Sequence, residues 1–135
     1  MLRFPRPNLG FDAVSNHLTA TGEGLFRDIS TDMPFGVIGS STAIDGDYAY
    51  HPEGTGQNAV QWIFGGLQPG ATYEVSATWF GGTNRASNSP FTIIGGAAPI
   101  EVRVDQRAHP DDFGNGTQWE SLTPVTVTGD TITVV

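Results

Sequence analysis

The sequence contains no cysteine and no lysine among its 135 residues. Without cysteine there is no disulfide, no thiolate nucleophile and no cysteine-based zinc or iron–sulfur site. Without lysine, Schiff-base catalysis and a phosphate-loop lysine are excluded. The catalytic signatures G-x-S-x-G and H-E-x-x-H are also absent, and the three histidines are scattered along the chain. The sequence therefore predicts a protein that is not an enzyme and that carries no required cofactor.

Positive charge is scarce as well. The chain has 14 acidic and 6 basic residues, all six of them arginine, and a formal net charge of −8. Because no basic cluster occurs, we expect neither nucleic acid nor an anionic membrane as a partner. The apolar runs are only a few residues long, so no membrane span is predicted. The N-terminal residues lack the apolar segment of a signal peptide, which predicts a piece of a longer precursor, another export route or an internal protein.

Apolar and polar residues alternate along most of the chain, as they do in half-buried strands. Between the alternating runs, Gln68-Pro69-Gly70 predicts a type II turn, and Gly129-Asp130 predicts a two-residue hairpin. The length fits one domain, which we predict to be an all-β, antiparallel, jelly-roll-like β-sandwich over 25–135, preceded by an irregular N-terminal arm or linker over 1–24. The predicted strands lie near 25–29, 35–39, 47–51, 58–64, 72–80, 90–94, 100–107, 119–128 and 131–135.

Three segments carry a family resemblance over roughly 110 residues. They are GDYAYHPEGTGQNAVQWIFGGLQPGATYEVSATW, GGTNRASNSPFTI, and VDQRAHPDDF followed by TQWESL. In this order they resemble the golvesin C-terminal, or xanthan-lyase-type, β-sandwich module of large secreted bacterial proteins. The resemblance implies an accessory module of surface or polysaccharide-processing proteins, located outside the cell or on its surface.

The family pattern continues for one strand beyond the segment that corresponds to TITVV, whereas this sequence stops at Val135. We therefore expect Ile132 and Val134 to lie beside an unfilled slot with unpaired backbone groups. The N-terminal arm offers Leu9, Phe11 and Ala13 at a period of two as a strand that fills it. Three alternatives follow: truncation of a longer protein, self-complementation, or exchange between copies into a filament.

Two tyrosines are the first candidates for ligand contact. Tyr48 and Tyr50 alternate in DYAYH and therefore share one face of a predicted strand. An exposed pair of this kind provides a flat platform on which a sugar ring stacks. The alternative is a pair of ordinary core tyrosines.

A polar segment after a predicted strand supplies the second candidates, Asn84, Arg85 and Asn88. Binding residues are frequent in such loops, and the planar arginine fork suits a carboxylate such as that of a uronic acid. The residues favour the alternative, in which Arg85 forms a structural ion pair with Asp105 or another acid.

Acidic residues suggest a third kind of site. Asp45, Asp47 and Glu53 lie close together in sequence, and Asp111-Asp112 form a second acidic pair. Oxygen-rich loops hold Ca²⁺, which takes six to eight oxygen ligands. The alternative is a solvated acidic loop without metal.

These candidates lead to three functional hypotheses. The first is a carbohydrate- or matrix-binding module whose partner is a polysaccharide or the extracellular matrix. The second is a structural subunit that binds copies of itself by strand complementation and forms a surface filament. The third is a part of a polysaccharide lyase or hydrolase.

Overall fold

The computed structural model describes residues 8–12, 23–33, 35–39, 47–51, 56–115 and 117–135. Within these ranges every regular element is a β-strand, and no helix is present that could cross a bilayer. The strands are β1 (Asn8–Asp12), β2 (Glu23–Asp28), β3 (Gly36–Gly39), β4 (Asp47–Tyr50), β5 (Val60–Gly65), β6 (Thr72–Thr78), β7 (Ser89–Ile94), β8 (Ile100–Val104), β9 (Phe113–Asn115), β10 (Thr117–Thr126) and β11 (Ile132–Val134).

The strands form two larger sheets and one small one. One sheet has four strands in the order β1-β6-β10-β9, and the other has five in the order β2-β5-β11-β7-β8. Strands β3 and β4 pair only with each other in the described ladders. All pairs are antiparallel except β1 with β6. The predicted all-β sandwich is therefore confirmed, and each of the nine predicted strands has a counterpart.

The core follows from the alternation in the sequence. In β5 the side chains of Val60, Trp62 and Phe64 are buried, while the residues between them are half-buried. Strand β6 and the residue after it contribute Tyr73, Val75, Ala77 and Trp79. Burying one large apolar side chain stabilises the folded state by roughly 1.5–3 kcal/mol. The remaining buried apolar residues are Leu67, Phe91, Ile93, Val125, Val127, Ile132 and Val134.

The two predicted turns have different outcomes. Gly70 has a φ of 84°, and the Ala71 amide donates to the Gln68 carbonyl oxygen at 3.0 Å, which confirms the type II turn. The hairpin predicted at Gly129-Asp130 is wrong, because β10 and β11 lie in different sheets. The chain crosses from one sheet to the other here, and the Asp130 carbonyl oxygen accepts from the Leu67 amide at 2.9 Å.

Strand β11 does not lie beside an unfilled slot, so that prediction is wrong. It is paired with β5 on one side and with β7 on the other. Ile132 and Val134 are both 0% exposed, because the crossing places this strand in the middle of the five-stranded sheet. These two residues are therefore core residues of a central strand, and assembly through a free edge at this strand is excluded.

The N-terminal segment is more regular than the predicted arm, since it contains β1. This strand runs parallel to β6 at the edge of the four-stranded sheet, with Leu9 opposite Val75 and Phe11 opposite Ala77. Ala13 lies outside the described residues. The segment thus pairs with its own chain, although in the other sheet from the one predicted. Exchange of β1 between copies stays a prediction.

Candidate ligand-binding loop

The candidate site is the loop formed by residues 80–88, which joins β6 to β7. It begins just after Trp79, whose buried ring ends the apolar alternation of β6. Inside the loop, the Arg85 amide donates to the Gly82 carbonyl oxygen at 2.9 Å, which closes a tight turn over Thr83 and Asn84. The turn fixes the backbone at the position where the sequence placed its polar candidates.

A second segment, residues 105–110, braces this loop. The Trp79 indole donates from Nε1 to the Ala108 carbonyl oxygen at 2.8 Å. The Gly81 amide donates to His109 Nδ1 at 3.2 Å. The Gln106 amide donates to the Ala86 carbonyl oxygen at 2.8 Å. The loop is therefore tied to the 105–110 segment at both of its ends.

Gly81 shows how closely the two segments approach. A Cβ atom added at this residue would lie 2.7 Å from the Ala108 carbonyl carbon and 2.7 Å from the His109 nitrogen. Both atoms belong to the backbone, which has little freedom to move aside. Glycine is required here because only a residue without a side chain permits this contact.

Arg85 is half-buried at the centre of the loop. Its Nε donates to the Phe80 carbonyl oxygen at 3.4 Å. Among the described residues no carboxylate lies within ion-pair distance of it, and neither terminal nitrogen donates to a protein group. Its two terminal nitrogens therefore keep their donors for a ligand.

The ion pair predicted between Arg85 and Asp105 is wrong, because Asp105 binds Arg107. Arg107 donates from Nε to Asp105 Oδ1 at 2.8 Å and from Nη2 to Oδ2 at 2.7 Å. These bonds, together with one from the Arg107 amide, lower the pKa of Asp105 to about 2. Only Gln106 separates the partners in the sequence, so this local pair forms in preference to a pair across the loop.

The other two loop candidates, Asn84 and Asn88, are exposed. Asn88 accepts a hydrogen bond at its carbonyl oxygen from Arg103 Nη1 at 3.3 Å, and Arg103 also pairs with Glu101 at 2.8 Å. Half of the six arginines therefore lie in this loop or next to it. Of these three, Arg85 lies in the loop itself, while Arg103 and Arg107 are paired with Glu101 and Asp105.

The two candidate tyrosines lie on a separate element. Tyr48 is opposite Ile38 and Tyr50 is opposite Gly36 in the β3–β4 ladder, so both positions share one face. The ladder ends next to a pair of rings, Phe35 and His51, with centroids 4.8 Å apart. No described hydrogen bond joins this ladder to the 80–88 loop. The stacking platform stays a prediction, and the structure does not place it against the arginine.

The first predicted calcium site falls mostly outside the described residues. Asp45 and Glu53 are among those not described, and Asp47 is placed only as a member of β4, opposite Gly39. Calcium binding by these three residues stays a prediction.

The second acidic pair gains a third member in the structure. One carboxylate oxygen from each of Asp111, Asp112 and Glu120 lies within 4.8 Å of the others. Asp112 Oδ2 accepts from the Ser121 amide at 2.8 Å, so this carboxylate already binds the backbone of β10. Burial raises the pKa of Glu120, and the charge of Asp112 raises it further. The cluster joins residues 111–112 to β10, and calcium binding by these carboxylates stays a prediction.

Comparison with known proteins identifies a family. The sequence model of a family described as Golvesin C-terminal domain matches residues 38–133, which is more than half of the chain. The matched range includes the 80–88 loop and the segment that braces it. No curated protein and no solved structure matches the chain significantly.

Proposed function

Because the chain belongs to the golvesin C-terminal domain family, a family of accessory domains, we propose that it binds carbohydrate or extracellular matrix through the 80–88 loop, outside the cell or on its surface. One observation supports this choice above the others. Arg85 is half-buried and held at its Nε, yet no described acidic residue pairs with it. A guanidinium that is fixed in this way is a prepared binding group for a carboxylate.

The chemistry of the loop defines the ligand class. The terminal nitrogens of Arg85 donate in a rigid fork that matches the two oxygens of a carboxylate. The amide side chains of Asn84 and Asn88 donate to and accept from hydroxyl groups. A polysaccharide that contains uronic acids offers both kinds of group along one chain. Tyr48 and Tyr50 stay a predicted further contact for a sugar ring.

The acidic net charge of the chain does not prevent this binding. At physiological ionic strength, charges are screened over about 8 Å, so the nearest groups dominate. Next to the loop, the charges of Arg103 and Arg107 are balanced by their ion pairs with Glu101 and Asp105. Arg85 is therefore the unbalanced charge that a bound carboxylate meets first.

Replacing Arg85 by alanine tests the site. We expect Arg85→Ala to weaken binding of polygalacturonate or alginate by at least about tenfold, because a charge-assisted hydrogen bond contributes about 1.5–3 kcal/mol. Arg27→Ala is the matched control. Arg27 is exposed on β2, so its replacement removes the same charge at another place on the chain. Affinity electrophoresis and calorimetry on the 135-residue chains measure both variants.

Arg85→Lys distinguishes the effect of the paired guanidinium donors from the effect of the positive charge. It keeps the positive charge and loses the paired donors, so we expect affinity between those of the wild type and Arg85→Ala. Equal losses for Arg27→Ala and Arg85→Ala would show that only the net charge matters and would contradict the proposed location.

The proposal includes no catalysis and no cofactor. The protein lacks the sequence signatures of the catalytic centres considered above. Incubation with acidic polysaccharides should therefore release no reducing ends and no unsaturated products, with or without Ca²⁺. Turnover that is lost in a His109→Ala or Asp111→Ala variant would instead support the lyase or hydrolase hypothesis.

A second function, assembly by strand exchange, is favoured by the position of β1. Among the described strands this one comes first in the sequence, it lies at a sheet edge, and a five-residue ladder joins it to β6. The same ladder can form with β6 of a neighbouring copy, which would produce a head-to-tail filament. Light scattering on a chain without residues 1–20 decides the question. An unchanged oligomeric state would exclude β1 as the exchanged strand.

A further inference from the structure

We propose that two copies of this chain associate through the outer edge of β8, with the two β8 strands antiparallel and centred on Val102. Strand β8 is the last strand of the five-stranded sheet, and β7 is its neighbour. No described strand pairs with its other side. An edge of this kind presents a row of backbone donors and acceptors to a further strand.

The ladder determines which backbone groups point outward. Thr92 of β7 exchanges both of its backbone hydrogen bonds with Val135, at 2.9 Å each, and therefore faces β11. Successive residues of a strand direct their backbone groups to opposite sides, so Phe91 faces β8. Phe91 lies opposite Val102, whose backbone groups are thus bonded to β7. The N–H and C=O groups of Glu101 and Arg103 then point away from the sheet.

A second copy of β8 fits this edge in one symmetric register. When two IEVRV strands run antiparallel about Val102, Glu101 of each copy lies opposite Arg103 of the other. These are the two residues whose backbone groups point outward, so each such pair exchanges one hydrogen bond in each direction. Val102 lies opposite Val102 of the second copy as a non-hydrogen-bonded pair, in which side chains approach most closely.

The charges of the strand are complementary to themselves in this register. The side chains of Glu101 and Arg103 are 51% and 53% exposed and bind each other at 2.8 Å within the strand. In the dimer, each of these two side chains lies directly across the new ladder from a side chain of opposite charge. Opposite charges in this position stabilise cross-strand pairs. A foreign strand would need the same charge order, so the observations favour a second copy as the occupant.

The inner face of β8 supports the same arrangement. Ile100 is 37% exposed, and Val102 and Val104 are only partly buried against the core. In the centred register, Ile100 lies opposite Val104 of the second copy. The pairing therefore covers apolar surface that the single chain leaves accessible, and it does so without involving β1.

Charge reversal tests the register. Sedimentation of the 135-residue chain from micromolar to millimolar concentration should show a monomer–dimer equilibrium. The R103E variant alone, or the E101R variant alone, places like charges opposite each other in both cross-strand pairs of the dimer. Each should raise the dissociation constant of the dimer at least tenfold. An equimolar mixture of the two variants restores every opposite pair and should form a 1:1 heterodimer. The double variant E101R/R103E should dimerise within threefold of the wild type.

Several results would overturn the proposal. They are a wild type that stays monomeric at millimolar concentration, an R103E variant that dimerises like the wild type, or a mixture that forms no heterodimer. Amide hydrogen exchange gives an independent readout that does not depend on variants. On dilution, the amides of Glu101 and Arg103 should lose protection while the Val102 amide keeps it. Unchanged protection of all three would contradict pairing through this edge.

Discussion

Replacing Ile132 by aspartate is expected to unfold the domain. Ile132 is 0% exposed and lies in β11, between β5 and β7. The change removes a large buried side chain, which lowers the free energy of unfolding by about 2–5 kcal/mol. It also buries a carboxylate without a partner, which lowers it by several kcal/mol more. A domain of this kind is stable by only about 5–15 kcal/mol. Circular dichroism and urea unfolding at 25 °C measure the effect.

Thr133→Asp is the matched control for this prediction. Thr133 lies in the same short strand but is half-buried on its other face, so the new carboxylate keeps contact with water. We expect this variant to fold. Its free energy of unfolding should fall by about 1 kcal/mol, which is the range that strand propensities span. Comparable losses for the two variants would contradict the burial of Ile132 on the inner face of β11.

Replacing Gly81 by alanine is expected to separate the 80–88 loop from its brace. The added Cβ would meet the backbone of Ala108 and His109 at 2.7 Å, so one segment has to move. Overpacking of this kind costs about 1–3 kcal/mol, and the hydrogen bonds from Gly81 and Trp79 are weakened as well. We expect a lower melting temperature and a loss of polysaccharide affinity of at least about tenfold, since Arg85 loses its fixed position.

The neighbouring glycine provides the control. At Gly82 an added Cβ would lie 3.2 Å from Asn84 Oδ1, the end of a flexible side chain that can rotate away. Gly82→Ala should therefore keep the melting temperature within a few degrees of the wild type and lose less affinity than Gly81→Ala, since only the Asn84 side chain has to move. If Gly81→Ala bound polysaccharide as well as Gly82→Ala did, the brace would have no part in binding.

The alternation of apolar residues predicted the strands but not their order. The pattern in 131–135 identified a strand correctly, yet a period of two is the same at an edge and in the centre of a sheet. The distinction requires the partners on both sides, which lie far away in sequence: β5 begins at Val60 and β7 at Ser89. The hairpin expected at Gly129-Asp130 failed for the same reason, because a turn signal does not show which sheet the chain enters next.

The candidate site was predicted in part. The polar residues Asn84, Arg85 and Asn88 could be proposed from the sequence because polar residues after a strand are a local signal, and their role in binding stays a prediction. Sequence reasoning missed the brace formed by Gln106 and Ala108, because these contacts use a backbone amide and a carbonyl oxygen, which every residue type can provide. The partner assigned to Asp105 was wrong because Arg107, two residues away, reaches it first.

Chemical-shift mapping with trigalacturonate on the ¹⁵N-labelled chain shows where a carboxylate binds. We expect saturable shifts of the Arg85 Nε–H and of the backbone amides of 81–88, with smaller shifts at Gln106 and His109 through the brace. The Arg27 signals should not move. Shifts confined to the β4 residues Tyr48 and Tyr50, or no saturable shift at millimolar ligand, would contradict a carboxylate-binding site in the 80–88 loop.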